Sequence, residues 1–150
     1  MDALLRPAQR AETPAIAEVF LAARRSILHI VPMVHPDADA PRWIGEVLFA
    51  ETAMWVAERD GAIIAMMSLS PGWLEHLYVH PAAHGGGVGS ALLALAKTKP
   101  EAAQGLQLWT FQGNAGARRF YERDGFTPAE FTDGSGNEER TPDVRYVWPP

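Results

Sequence analysis

A chain of 150 residues, 47% hydrophobic and 21% charged, has the size and make-up of one globular domain able to bury a core. A formal net charge of −5 argues against nucleic acid as a main partner, and the absence of cysteine excludes disulfides, thiolate metal ligands and a cysteine nucleophile. No apolar run approaches the ~20 residues of a membrane span and no leader signal opens the chain, so a single cytoplasmic domain over 1–150 is expected.

In chain order, Asp2 to Pro7 carries the apolar pair Leu4-Leu5 and predicts a first strand. Thr13-Pro14 has the form of an N-cap followed by proline at the first helical position, and Ile16, Val19, Phe20 and Ala23 share one face of the helix after it. Pro32 and Pro36 keep Ser26 to Asp39 irregular. A second helix is predicted from about Pro41, with Trp43, Val47 and Leu48 inward. Met54 to Ala57 and Ala62 to Leu69 form a hairpin across Arg59-Asp60-Gly61, and Pro71-Gly72 turns the chain into a third strand, Trp73 to Val79. Pro81 and the run Gly85-Gly86-Gly87-Val88-Gly89 follow, then a helix with Val88, Leu92 and Leu95 on one face. Lys99-Pro100 ends it. Gly105 introduces the strand Leu106 to Phe111, and Asn114 caps a helix bearing Ala117, Phe120 and Tyr121. Asp124-Gly125 stops that helix, Phe126 begins a strand, Asp133 to Asn137 is a polar loop, and Val144 to Trp148 is the last strand. This order predicts an α+β domain with a mainly antiparallel sheet and helices on both sides.

A glycine loop feeding a helix N-terminus presents free backbone N–H groups and the positive end of the helix dipole, which suits phosphate. A nucleotide P-loop needs Lys then Ser or Thr after its last glycine, and Gly89 is followed by Ser90-Ala91. A dinucleotide fingerprint needs a third glycine where Ser90 stands, in a loop that opens a parallel βαβ unit, whereas this one follows a hairpin series. Coenzyme A is the third reading.

Here the residues resemble a known family. His84-Gly85-Gly86-Gly87-Val88-Gly89 is similar to the acyl-CoA-binding pattern Q/R-x-x-G-x-G/A of the GNAT superfamily of N-acyltransferases, apart from its first residue. Asn114 to Phe126 resembles that family's second motif, N-x-x-A-x-x-h-Y-x-x-x-G-F with h apolar, and Leu5-Arg6-Pro7-Ala8 resembles its usual N-terminus. The resemblance implies a GNAT-type fold of about six to seven strands in a mainly antiparallel mixed sheet flanked by about four helices. It implies acetyl-CoA as cofactor, with the pantetheine arm in a gap between the fourth and fifth strands. The cofactor contacts it implies are Leu77, Tyr78, Val79, His84, Gly85, Gly86, Gly87, Val88, Gly89, Ser90, Asn114 and Tyr121. Main-chain groups of Leu77 and Val79 are expected to pair with the cofactor amides, and N–H groups from His84 to Ser90 to surround the pyrophosphate. His84, where Gln or Arg is usual, removes a fixed contact.

The implied activity is N-acetyl transfer by direct attack of a primary amine, on a small molecule or a peptide N-terminus, in a ternary complex. Such a reaction needs a base for the ammonium, donors for the oxyanion and a proton for the leaving thiolate. Tyr121 matches the family tyrosine near the cofactor sulfur; read alone, it is better taken as a helix tyrosine packed in the core. The Val79 N–H is the expected oxyanion donor. Alternation puts Trp73, Glu75, Leu77 and Val79 on one strand face, with Glu75 about 7 Å back from Leu77, as a base or as a plain edge glutamate. His76 falls on the opposite face.

His76, His80 and His84 span a strand, a turn and a loop, which argues against a shared metal. Trp73 is expected to line the acceptor pocket and the other tryptophans to anchor the core. The acceptor walls are expected from Ser26 to Pro41, with His29, and from Asp133 to Asp143, whose carboxylates suit a cationic acceptor or mere solvation. A homodimer fits the reading. The rival is a non-catalytic acyl-CoA-binding domain, against which the pair Tyr121 and Glu75 argues.

Overall fold

The computed structural model describes residues 3–149. The Asp2 end of the predicted first strand lies outside that range. Among the described residues, seven strands form one sheet: β1 Leu4–Pro7, β2 Ala53–Arg59, β3 Ala62–Ser70, β4 Trp73–Val79, β5 Leu106–Phe111, β6 Thr127–Phe131 and β7 Asp143–Trp148. Their spatial order is β1-β2-β3-β4-β5-β7-β6, antiparallel throughout except for β4 against β5. Four helical runs flank it: α1 Thr13–Arg25, α2 over 40–51, α3 Val88–Lys97 and α4 Ala115–Arg123. This is an α+β domain with a mainly antiparallel sheet and helices on both faces, as the element order predicts.

Alternation along the strands loads both faces. Ala65, Met67 and Leu69 of β3 join Val88, Leu92 and Leu93 of α3 and Tyr121 of α4 in one core; Met66 and Val56 join Ile16, Val19 and Phe20 of α1 and Ile44 and Leu48 of α2 in the other. The Asp60-Gly61 turn has both residues at positive φ (53° and 79°), the geometry that matches hairpin twist.

Two local expectations shift. Thr13 is already the first residue of α1, because a tight turn over Arg10–Glu12 precedes it and its hydroxyl donates to the Arg10 carbonyl at 2.6 Å. Glu12 takes the N-cap position of α1 without a side-chain cap bond to it; its carboxylate accepts from the Gln9 N–H at 2.8 Å and so caps the preceding turn. In α2, Ile44–Leu48 is wound as a π-turn, which rotates the face: Ala40, Ile44 and Leu48 are buried, while Val47 is exposed.

A bulge and a splay in the sheet prepare the site. Ser68 pairs with His76 but Leu69 pairs with Leu74, so Glu75 is an extra residue on β4. On the other side, β4 meets β5 at a single position, Trp73 with Gln107, supported by the Gln107 N–H to Gly72 carbonyl bond at 2.9 Å. Beyond Trp73 the two parallel strands separate.

Candidate functional site

The opening between β4 and β5 widens into a cleft of about 760 Å³. β4, the glycine loop, the N-terminal turns of α3 and α4 and the C-terminal end of α1 line it. Strand geometry decides which β4 groups face the gap. The His80 N–H donates to the Ile64 carbonyl of β3 at 2.8 Å. Neighbouring residues alternate, so the main-chain groups of Val79 and Leu77 point the other way, into the gap. Their side chains pack on the α3 and α4 side with Leu74, whereas His76 and Tyr78 lie on the α1 and α2 side. Tyr78 therefore turns its main chain to β3 and its ring onto Phe20, edge-on at 5.1 Å.

The bulge breaks the simple alternation that grouped Trp73 and Glu75 with Leu77 and Val79. Glu75 is exposed and still lines the cleft. Trp73 is held in the β3–β4–β5 pairing and is not among the cleft-lining residues. His29 is likewise exposed outside the lining, where Ser26 and Ile27 take its place. His76, assigned to the far face, does line the cleft, because the splay opens the sheet from both sides. Burial, reinforced by the charge of Arg24, pushes the His76 imidazole down to about 4, so it is neutral near pH 7. Its ring packs edge-on against Trp43 at 4.9 Å.

The glycine loop is a cradle of open donors. Among the described residues, no partner inside the protein is recorded for the amides from Gly85 to Ser90. Gly85 and Gly87 hold φ values of 84° and 81°, a region that side chains disfavour. At Gly89 the need is space: a Cβ there would stand 3.3 Å from the Phe120 ring of α4 and 3.6 Å from Val79 Cγ2 of β4. Loop, helix and strand thus converge on one glycine. The donor set suits a pyrophosphate ester.

His84 differs from its expected part. Its N–H is already committed to the Pro81 carbonyl at 3.3 Å, and its ring Nε2 lies 3.1 Å from the Val79 carbonyl oxygen, which accepts from the Nε2–H tautomer. The ring therefore occupies one of the main-chain groups that face the gap. A cation absent from the expected set stands nearby. A Cβ on Gly86 would be 3.7 Å from Arg59 Nη1, and the Arg59 guanidinium has no ion pair among the described residues. Arg59 stood at the edge of a hairpin turn in the sequence, with no local signal of that role.

On α4, the Asn114 side chain accepts from the Ala117 N–H at 3.1 Å as the predicted N-cap, and it lines the cleft. Tyr121 is 9% exposed, packs near Phe120, Phe126 and Tyr146, and also lines the cleft. Its hydroxyl makes no hydrogen bond with the described residues and is not among the sealed unpaired atoms. Burial, with a further push from Tyr78, raises the phenol well above the ordinary tyrosine range. A phenol held protonated at an open cleft can donate a proton or a hydrogen bond to an anion formed there.

A family model for the GNAT acetyltransferase domain matches residues 50–128. The peptidyl-lysine N-acetyltransferase YiaC of Escherichia coli (strain K12) is similar, at 30% identity over 130 residues that cover 82% of each chain. Among solved structures, the PaiA N-acetyltransferase of Thermoplasma acidophilum, in complex with coenzyme A, superposes with a TM-score of 0.78 over the whole of both chains at 20% identity. The apo form of YjaB from Escherichia coli gives a TM-score of 0.78 over 99% of this chain and 98% of that one at 18% identity.

Proposed function

We propose that this chain, which belongs to the GNAT acetyltransferase family, is an N-acetyltransferase that acts on the primary amine of a small molecule or a peptide. Acetyl-CoA is the acetyl donor of that family. The single observation that carries the reading is the joining, in one cleft, of the open amides of the glycine loop with a protonated tyrosine whose hydroxyl has no partner among the described residues. When bound, acetyl-CoA supplies a thioester carbonyl for the amine to attack and leaves as the thiol.

The chain's own residues have separable tasks. Amides from Gly85 to Ser90 hold the pyrophosphate, with the Arg59 guanidinium beside Gly86 in place of the side chain that His84 does not supply. Main-chain groups of Leu77 and Val79 hold the pantetheine amides, once the His84 ring leaves the Val79 carbonyl. The Val79 N–H donates to the carbonyl oxygen of the acetyl group. Tyr121 keeps its proton on Oη until the departing sulfur takes it. Glu75, exposed at the bulge, receives the amine's proton directly or through water.

The family relation to a peptidyl-lysine enzyme supports a nitrogen acceptor, and no part of the scheme needs a covalent protein intermediate, consistent with a chain that has no cysteine. The test is coenzyme A thiol release over a panel of amines and peptides. Thiol release that requires an amine is the expected result. Saturable acetyl-CoA binding with no release for any acceptor would make the protein an acyl-CoA-binding module instead.

A further inference from the structure

The inner stripe of α1 ends in a charge. Ile16, Phe20 and Arg24 stand four residues apart, so Arg24 continues the face that packs on the sheet, and it is 9% exposed. A guanidinium taken out of water needs partners for its five N–H groups. Arg24 has few. Nη2 donates to the Pro32 carbonyl at 3.1 Å, and its ion-pair partner among the described residues, Glu139, stands 4.0 Å away at the limit of pairing. Nε is sealed from water with no hydrogen-bond partner among the described residues.

That cation lines the cleft. It sits at the α1 side, beside the His76 and Tyr78 rings, both of which feel its charge, and the Tyr78 hydroxyl also interacts with it as a hydrogen-bond partner. His76 and Tyr78 line the cleft there, and Phe20 and Trp43 pack behind them in ring contact. This is the face opposite α3 and α4, which carry the glycine cradle and Tyr121, so it is where an acceptor has access to the gap. Among the cleft-lining residues, Glu75 is the one carboxylate, and it is exposed at the bulge.

We propose that the acceptor amine carries a carboxylate in the same molecule, and that Arg24 binds it through the guanidinium N–H groups that are not sealed and that line the cleft. A planar guanidinium matches two carboxylate oxygens, and the His76 and Tyr78 rings beside it strengthen the pairing by keeping water away. Glu75 and Arg24 then receive opposite ends of an amino-carboxylate. This deepens the acyl-transfer reading above and rests on it.

The test uses ω-amino acids of increasing chain length, each matched with its carboxamide and with the plain alkylamine, so that amine basicity stays comparable. A second arm uses peptides whose acceptor lysine has an aspartate or an alanine beside it. Wild-type protein is expected to favour the carboxylate member of a set by roughly 10- to 100-fold in kcat/KM, mostly through KM, the value of a charged hydrogen-bonded pair. Preference within the free amino acids assigns the carboxylate to a small molecule; preference confined to the peptides assigns it to a protein. Arg24→Gln should raise KM for the acids to that of their amides, and Arg24→Lys should restore part of the difference. Should Arg24→Gln fail to fold, competition decides: simple alkyl carboxylates must inhibit wild-type protein against the acceptor and not against acetyl-CoA. Equal rates on acids and amides, or a preference that survives Arg24→Gln, would overturn the proposal while leaving amine acetylation intact. Acetyl-CoA binding with no thiol release for any amine would remove both.

Discussion

Replacing Tyr121 by phenylalanine removes one hydroxyl and nothing else from a packed ring. That hydroxyl makes no hydrogen bond with the described residues, so its loss leaves no protein partner unsatisfied. Phe120, Phe126 and Tyr146 keep their contacts with the ring, and the melting temperature should move by no more than a few degrees. Acetyl-CoA affinity should also hold, since the cradle is built from main-chain amides on another element. Turnover should not. Loss of one positioned acid corresponds to roughly 10- to 10³-fold in kcat, or about 1.4–4 kcal/mol in the barrier. Because burial raises the phenol, it stays protonated across the working range, and the variant should lose rate evenly at every pH rather than shift the profile. Thiol release measured from pH 6 to 9, with acetyl-CoA binding followed by calorimetry, separates these effects. A variant that turns over within two-fold of wild type would remove Tyr121 from the chemistry.

Glu75→Gln should flatten the rise of rate with pH; an unchanged profile would assign proton removal to water or another group. Arg59→Ala should weaken acetyl-CoA binding by about 3- to 10-fold and reduce its salt dependence, since a partly exposed cation beside the glycine loop is lost; equal affinity and equal salt slope would show that Arg59 takes no part. His76 carries a pH signature in stability. Its imidazole is held near 4 in the folded protein and returns to about 6.5 when unfolded, so the unfolded chain binds more protons between those values. Stability should therefore fall as pH drops from 6.5 towards 4, by at most about 3 kcal/mol, and His76→Phe should lessen that fall in denaturant melts.

Much of this architecture was legible because it is local. Trp73 to Val79 and Leu106 to Phe111 were bounded by their flanking turns, and Asn114 announced its helix by the hydrogen bond that it does make to Ala117. Elements that depend on a partner were not. The extra residue at Glu75 exists only against the register of β3, and it moved Trp73 out of the acceptor wall. The π-turn at Ile44–Leu48 rotated Val47 outward, although Trp43, Val47 and Leu48 were expected to face inward together. Arg59 reaches the glycine loop across a hairpin that places it there only after folding. Arg24 stands on the stripe of Ile16 and Phe20, but nothing local marks a charge at a helix end as a buried one. His84 departed from the family pattern in the sequence, but only the fold shows its ring on the Val79 carbonyl.

The fate of the acetyl group tests the central claim most directly. Acetyl-CoA labelled in the acetyl carbons, mixed with the protein and an amino-carboxylate panel, can be followed by mass spectrometry of both the small molecules and the intact protein. The predicted result is label in an amide of the acceptor, one free thiol released per amide formed, and none on the protein. Label that stays on coenzyme A with every acceptor, or that accumulates on the protein, would contradict it.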